Sequence, residues 1–316
     1  MIHLNKEKID SCASMKDFID YIDSAYNVYE EGVFEMPTRT QMDNDGNTLI
    51  IMPCFLGNYI VTKLVTVYPE NTHKQIPTIR GAVLINCNKT GEPLATLDGT
   101  YLTGVRTGAI GGNAIRHLSN KSVKNLAVIG AGTQGLYQTI AACEERDFKN
   151  VFVYNRTPGE KVNKFIKQLQ DNLPKDTSIH VMDSPEDAIQ HADVVITATT
   201  SKKPVIPNNS DLLKNKLFIG IGSFQPGMRE FPEAGYKEIS HLFIDTHDAI
   251  KESGDIIDPL QKGWIESSMI QPISSIIGKP NYNSQEKQKS ILFKSTGSAL
   301  FDAVASVEVY NSYMEK

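Results

Sequence analysis

A glycine-rich turn in the middle of the chain constrains the fold more than any other feature. It consists of Gly130, Ala131, Gly132, Thr133, Gln134 and Gly135, and it lies between an apolar run and a helical pattern. In such a G-x-G-x-x-G turn the first glycine permits a tight bend and the second lets backbone amides approach a pyrophosphate. The third lets the helix pack closely on the preceding strand. The turn therefore predicts a Rossmann domain that binds the phosphates of a dinucleotide at a helix N-terminus.

The residues around this turn alternate between apolar strands and amphipathic helices. Predicted strands are LAVIG (126–130), VFVYN (151–155), SIHVMD (178–183), DVVITAT (193–199), KLFIGIG (216–222) and HLFID (241–245). Predicted helices are 133–146, 160–172 and 185–190. Alternating units of this size indicate an α/β fold with a parallel sheet.

The first third of the chain has a different pattern, which changes at about residue 119. A helix is predicted over 14–32, a hairpin turn at 43–46, strands within 58–69 and 78–87, and a small-residue-rich helix over 103–119. The tail, 293–313, is predicted as one further helix. These patterns are typical of an α+β domain.

Composition excludes several other classes of protein. The 316 residues carry a formal net charge of −5, whereas a nucleic-acid-binding surface is normally rich in Lys and Arg. The start of the chain lacks a secretory pattern, and no apolar run is long enough for a membrane helix. Four scattered cysteines are typical of reduced thiols, and the histidines match no tetrahedral zinc site. We expect a cytoplasmic protein without a metal site.

The residues after the second predicted Rossmann strand indicate the cofactor. An NAD site usually has an acidic residue there that binds the ribose 2′-hydroxyl. This chain has Asn155, Arg156 and Thr157 instead, and an arginine can pair with a 2′-phosphate. We therefore predict NADP(H). The alternative is that Arg156 is a solvated surface residue and that NAD(H) is used.

One lysine occupies an unusual strand position. Alternation in the segment 58–68 places Lys63 on the same face as Val61, Val65 and Val67. Burial disfavours the charged form of a lysine and lowers its pKa toward a range useful for acid–base catalysis. The alternative is a lysine at a strand edge that reaches water.

Beyond these patterns, the chain resembles the ornithine cyclodeaminase/mu-crystallin family in motifs that extend over nearly its whole length. The matching residues are Arg39, Lys63, Thr78, Leu102-Thr103-x-x-Arg106-Thr107, VIGAGTQG, TATTSKKPVI and FKSTGSALFD. The resemblance implies a substrate-binding and dimerisation domain at 1–118, completed by 296–316, and a Rossmann domain at 119–295. It also implies a homodimer.

The same resemblance implies roles for individual residues. Arg39 and Arg106 would hold a substrate carboxylate, and Lys63 would lie beside the reacting carbon–nitrogen bond. Thr78, Thr296 and Gly297 would line the site, with Asp302 supporting it from behind. The cofactor would also contact Ala198, Thr199, Thr200 and Ser201. Bidentate recognition of a carboxylate suits a planar guanidinium, although either arginine taken singly could be a surface residue.

One position departs from the family pattern. Cyclodeaminase members carry an aspartate just before a Pro-Gly step, whereas Phe224 takes that place here and cannot accept a proton. No aspartate occurs between Gly220 and Glu230, and Glu230 could substitute only if the loop ran differently.

We therefore predict an NADPH-dependent reductase of a C=N bond next to a carboxylate, of the cyclic ketimine or Δ1-pyrroline-2-carboxylate type. Run in reverse, it would be an amino-acid dehydrogenase. Either is an oxidoreductase acting on CH-NH or CH-NH2 donors, with a small amino-acid-derived carboxylate as substrate. Two alternatives are an ornithine cyclodeaminase-type lyase with bound NAD and a non-catalytic, mu-crystallin-like binding protein.

Overall fold

The computed structural model describes residues 1–74, 76–278 and 290–316. Its contacts divide the chain into two units: the N-terminal unit, Met1–Arg106 with Ser298–Lys316, and the central unit, Thr107–Gly297. The boundary between the two units falls between Arg106 and Thr107, inside a helix and before the domain boundary predicted after residue 118. The second half of that helix belongs to the central unit, where Gly108 lies so close to Tyr137 that an added Cβ would be 2.6 Å from the Tyr137 carbonyl oxygen.

The elements are numbered in chain order. The strands are β1 (Ile2–Leu4), β2 (Phe34–Glu35), β3 (Thr40–Asn44), β4 (Asn47–Leu56), β5 (Tyr59–Val67), β6 (Ile79–Cys87), β7 (Pro93–Asp98), β8 (Asn125–Ile129), β9 (Asn150–Tyr154), β10 (Ser178–Val181), β11 (Val194–Thr197), β12 (Leu217–Gly220), β13 (Ile239–Ile244), β14 (Ile270–Pro272) and β15 (Ser290–Lys294). The α-helices are α1 (Lys6–Cys12), α2 (Met15–Glu31), α3 (Gly99–Leu118), α4 (Thr133–Glu145), α5 (Glu160–Asn172), α6 (Pro185–Gln190), α7 (Glu233–Glu238), α8 (Ala249–Glu252), α9 (Gly254–Gln261) and α10 (Ala299–Met314).

The N-terminal unit is a mostly antiparallel sheet covered by helices. Its strand order is β1-β7-β6-β5-β4-β2, and β3 pairs with β4 through the predicted hairpin. Asp45 and Gly46 form the turn with positive φ angles of 49° and 76°, the conformation that a two-residue hairpin requires. Helix α10 packs on α2, β4 and β5, and this packing buries one face of the sheet. Alternation along β5 therefore decides which side chains face the core.

The central unit is built on a parallel sheet with the order β10-β9-β8-β11-β12-β15-β13-β14. The order is doubly wound: β9 and β10 follow β8 on one side, and the next strands along the chain, β11 and β12, lie on its other side. Helices α5 and α6 have the predicted limits, and each predicted strand pairs in this sheet. The predicted α/β class with a Rossmann domain is confirmed. Over the described residues, no helix has the length and apolar character needed to cross a membrane.

The prediction of one helix over 293–313 was wrong at its beginning. Phe293 and Lys294 belong to β15, whose five residues are all buried and pair with β12 and β13. The helix begins only at Ala299, after Ser298, whose side chain accepts a hydrogen bond from the Leu300 amide. A short, fully buried apolar strand has no period that distinguishes it from a helix, which is why the sequence misplaced this boundary.

Candidate functional site

Lys63 lies in the apolar layer between the sheet and the helices of the N-terminal unit. It lies on the same buried face of β5 as Val61 and Val65, and only 2 % of its surface is exposed. Its register partners on the neighbouring strands are Met52 and Val83, both buried. The predicted burial of this lysine is therefore present in the structure, and its ammonium needs a partner inside the protein.

That partner is Asp302, in the first turn of α10. The Lys63 Nζ donates to Asp302 Oδ2 at 2.5 Å, and the Arg106 Nε donates to Asp302 Oδ1 at 2.9 Å. Arg106 is 4 % exposed and Asp302 is 1 % exposed, so both ion pairs are shielded from water. A carboxylate in the first turn also faces the positive end of its helix. We call Lys63, Arg106 and Asp302 the buried charge cluster.

The buried charge cluster combines a lysine of lowered pKa with an excess of positive charge. Burial lowers the pKa of Lys63 to about 8; Asp302 opposes this shift, while Arg106 and Arg39 add to it. Two cations share one carboxylate, which leaves a net positive charge. The Nη1 of Arg106 is buried and has no hydrogen-bond partner among the described residues. A buried guanidinium N–H without a partner is costly, and a bound carboxylate would satisfy it.

The other residues predicted for the substrate pocket of this unit lie at its strand ends. Arg39 immediately precedes β3, is half-buried, and acts electrostatically on Lys63. Thr78 precedes β6, and its carbonyl accepts a hydrogen bond from the Tyr68 amide at 2.7 Å. In the described part of the chain, no hydrogen bond or ion pair joins Thr78 to Lys63. The structure thus brings Arg39, but not Thr78, into electrostatic contact with the buried charge cluster.

The glycine-rich turn of the central unit has the form that a pyrophosphate requires. Gly130 has φ +113°, and an added Cβ would lie 2.7 Å from the Ala198 carbonyl oxygen. At Gly135 it would lie 2.1 Å from the Gly130 oxygen, whereas at Gly132 it would meet no atom of the described residues within 4 Å. Gly132 is also the N-cap of α4 and offers no side-chain cap, so open space adjoins the uncapped first-turn amides. These residues fit the phosphates of a dinucleotide.

The segment after β9 is tied to this turn. Asn155 accepts a hydrogen bond from the Ala131 amide at 3.1 Å and donates one to the Thr157 carbonyl at 2.7 Å. Arg156 and Thr157 are exposed. Asn155 therefore fixes the relative positions of the two segments, and the Arg156 side chain is the cation at this end of β9.

Thr296 and Gly297 are held by a buried carboxylate that the sequence reasoning missed. The Asp245 Oδ2 accepts hydrogen bonds from the Ser295 hydroxyl and from the Thr296 and Gly297 amides, at 2.6, 3.0 and 2.8 Å. Burial raises the pKa of Asp245, and these donors oppose the rise. The only sequence signal was an acidic residue directly after the apolar run of β13.

The loop after β12 contains the position at which the sequence departs from the family pattern. Phe224 lies there, half-buried, with its amide donating to the Gly222 carbonyl at 3.2 Å. Glu230, considered above as a substitute for the missing aspartate, points into the central unit and is 0 % exposed. Its carboxylate accepts hydrogen bonds from Thr197, Thr199 and Gly222. These hydrogen bonds hold the Glu230 carboxylate in the interior of the central unit.

Together these features define a two-unit protein in which a Rossmann-type unit accompanies an α+β unit with a buried charge cluster. The family model described as the ornithine cyclodeaminase/mu-crystallin family matches residues 1–316, and the chain belongs to that family. A Bacillus cereus relative, "Delta(1)-pyrroline-2-carboxylate reductase", is 31 % identical over 322 residues, covering 100 % of this chain and 98 % of the relative.

Two solved structures are similar to the whole chain. One is the Thermococcus litoralis Δ1-pyrroline-2-carboxylate reductase in complex with NADH and L-proline. It has a TM-score of 0.92 and 30 % identity, over 100 % of this chain and 98 % of that one. The other is an archaeal alanine dehydrogenase dimer with bound NAD. It has a TM-score of 0.89 and 28 % identity, over 100 % and 96 % of the two chains.

Proposed function

We propose that this chain is an NAD(P)-dependent reductase of a C=N bond next to a carboxylate, with Δ1-pyrroline-2-carboxylate as the type substrate. The same chemistry in reverse is an amino-acid dehydrogenase. The observation that carries the proposal is the buried charge cluster, in which Lys63 and Arg106 share Asp302 while the Arg106 Nη1 has no hydrogen-bond partner in the part of the chain that the structure describes. The reductase and dehydrogenase names of the similar proteins support it.

The first task of the site is to bind the substrate carboxylate. Arg106 is held in place by Asp302 through Nε, and its buried Nη1, which has no partner among the described residues, is placed to bind an anion. Arg39 supplies a second positive charge near Lys63. Because the cluster is shielded from water, a carboxylate bound there gains more from these charges than it would at the surface. Fixing the carboxylate also fixes the adjacent C=N carbon.

The second task is to deliver a proton to the imine nitrogen. With its pKa lowered to about 8, Lys63 is protonated at neutral pH yet releases its proton more readily than an ordinary lysine. When bound, the reduced nicotinamide supplies the hydride that forms the new C–H bond. Lys63 supplies the proton that forms the new N–H bond, and the C=N bond becomes a C–N single bond. Asp302 accepts a hydrogen bond from the Lys63 nitrogen and so holds it in place both as an ammonium and as a neutral amine.

The alternative functions lack a comparable observation. A cyclodeaminase would need a carboxylate to bind the second amine of its substrate, whereas Phe224 is apolar and Glu230 is already bonded within the central unit. A protein that only binds carboxylates has no use for a lysine whose pKa is lowered by burial and by two arginines. Both points favour the reductase.

Loss of the buried lysine tests this proposal. We expect the protein to oxidise NADPH or NADH with Δ1-pyrroline-2-carboxylate, and Lys63→Met to lower kcat about 100-fold or more because the proton donor is removed. The assay follows the absorbance of the reduced nicotinamide. Lys121→Met, which removes an exposed lysine, is the matched control and should retain activity. Ammonia release from ornithine without net nicotinamide oxidation would contradict the proposal.

We propose NADP(H) as the preferred cofactor, because the chain has Arg156 and no carboxylate at the end of β9. Arg156→Asp should raise the KM for NADPH about tenfold or more, since a guanidinium–phosphate interaction is replaced by repulsion. The KM for NADH serves as the internal control and should not rise, because an aspartate there can accept a hydrogen bond from the ribose 2′-hydroxyl. Equal KM values for the two cofactors in the wild type, unchanged in Arg156→Asp, would show that NAD(H) is used without discrimination at this residue.

We propose further that the chain forms a homodimer through the outer face of the N-terminal sheet. Phe55 and Leu64, on adjacent strands, are 41 % and 42 % exposed, and Ile51 and Leu84 lie on the same face. An exposed apolar sheet face of this kind marks an interaction surface. Leu64→Glu should shift the protein from dimer to monomer in sedimentation velocity. Val181→Glu, at an exposed apolar position on β10, should leave the dimer intact. A dimeric Leu64→Glu protein would exclude this face.

A further inference from the structure

Three fully buried charged residues lie near the carboxyl ends of the central strands of the parallel sheet. Glu230, Asp255 and Lys294 are each 0 % exposed. The Lys294 Nζ lies 3.7 Å from Asp255 Oδ2, and neither atom has a hydrogen-bond partner among the described residues. Buried charges usually weaken a fold relative to apolar residues of the same size. A cluster of this kind therefore calls for a role other than stability.

Glu230 connects the segments that follow two neighbouring strands. Its Oε2 accepts from the Thr197 hydroxyl at 2.9 Å and from the Gly222 amide at 2.8 Å. Its Oε1 accepts from the amide and the hydroxyl of Thr199, both at 2.8 Å. Thr197 ends β11, and Gly222 follows β12. One carboxylate thus fixes both loops through four hydrogen bonds.

The two loops approach so closely that only glycine fits at their meeting point. A Cβ on Gly222 would lie 2.1 Å from the Thr199 carbonyl oxygen and 2.4 Å from Glu230 Oε1. Since these neighbours include backbone, a larger residue would displace the Thr199 loop. The position of Thr199 is therefore set jointly by the Glu230 carboxylate and by the missing side chain at Gly222.

The other two charged residues hold Glu230 in this role. Asp255 Oδ1 accepts hydrogen bonds from the Glu230 and Phe231 amides at 2.8 and 3.0 Å. Burial raises the pKa of Glu230 and of Asp255, and the Lys294 ammonium opposes both shifts. Lys294, at the end of β15, is thus the positive charge that compensates the two acidic groups.

The topology assigns these loops to one half of the dinucleotide. In a doubly wound sheet each half of the strands binds one mononucleotide, and the segment after the second strand meets the adenosine ribose. That segment here is 155–157, after β9, so the loops after β11 and β12 belong to the nicotinamide half. We propose that Glu230 is a positioning residue for the nicotinamide half of the cofactor, acting through Thr199 and Gly222. This inference rests on the proposed function.

The Kd values of two ligands, of which only one carries the nicotinamide nucleoside, distinguish this role from a general structural one. Glu230→Gln keeps the shape of the side chain but places an amide N–H2 against backbone and hydroxyl donors. We expect the Kd for NADH to rise about tenfold or more, while the Kd for ADP, which lacks the nicotinamide nucleoside, stays within about twofold. Isothermal titration calorimetry measures both. Glu233→Gln, the same change at a partly exposed position, should alter neither Kd.

A milder variant covers the case in which Glu230→Gln does not fold. Thr197→Val is nearly isosteric and removes one of the four hydrogen bonds to Glu230. It should raise the Kd for NADH by a smaller factor, again without raising the Kd for ADP. An equal rise in the two Kd values, or no rise in a folded variant, would overturn the inference. A wild-type protein that bound neither NADPH nor NADH would instead contradict the proposed function.

Discussion

The buried carboxylate of Asp302 is the constraint on which the rest of the N-terminal unit depends. It lies in the first turn of α10 and binds a lysine from β5 and an arginine from α3, so it joins the end of the chain to the sheet. With a single carboxylate between two cations, the cluster keeps a positive charge in a dry interior. The proposed function uses that imbalance twice, since Arg106 binds the substrate carboxylate and Lys63 supplies the proton.

The central unit also buries charged residues, but there the carboxylates outnumber the cation. Glu230 and Asp255 are compensated mainly by Lys294, with a smaller contribution from Arg229 at Asp255, and their oxygens accept hydrogen bonds mainly from backbone amides and threonine hydroxyls. Asp245 does the same for the amides of Thr296 and Gly297. In each case a buried carboxylate fixes a loop after a strand of the parallel sheet. Such loops bind ligands in doubly wound folds, so their rigidity serves ligand binding as well as stability.

Local patterns predicted the features that depend on neighbouring residues in the chain. Alternation identified Lys63 as buried, and the glycine spacing identified the turn before α4. The pairing of Lys63 with Asp302 joins residues 239 positions apart, and no local pattern specifies such a contact. Glu230 and Asp255 resemble surface acids in sequence because only the packing of distant loops buries them. The last two residues of β15, Phe293 and Lys294, were assigned to the helix for a similar reason, since the burial of the strand on both faces erases the alternation.

The pH dependence of kcat for imine reduction in Asp302→Asn tests the central claim most directly. Asp302 raises the pKa of Lys63 through its charge and its hydrogen bond, so its loss lowers that pKa further below about 8. Because reduction needs protonated Lys63, the rate falls as the pH rises through this pKa. We predict that the falling limb moves at least about one pH unit lower than in the wild type. An unmoved limb, or one shifted to higher pH, would contradict the account.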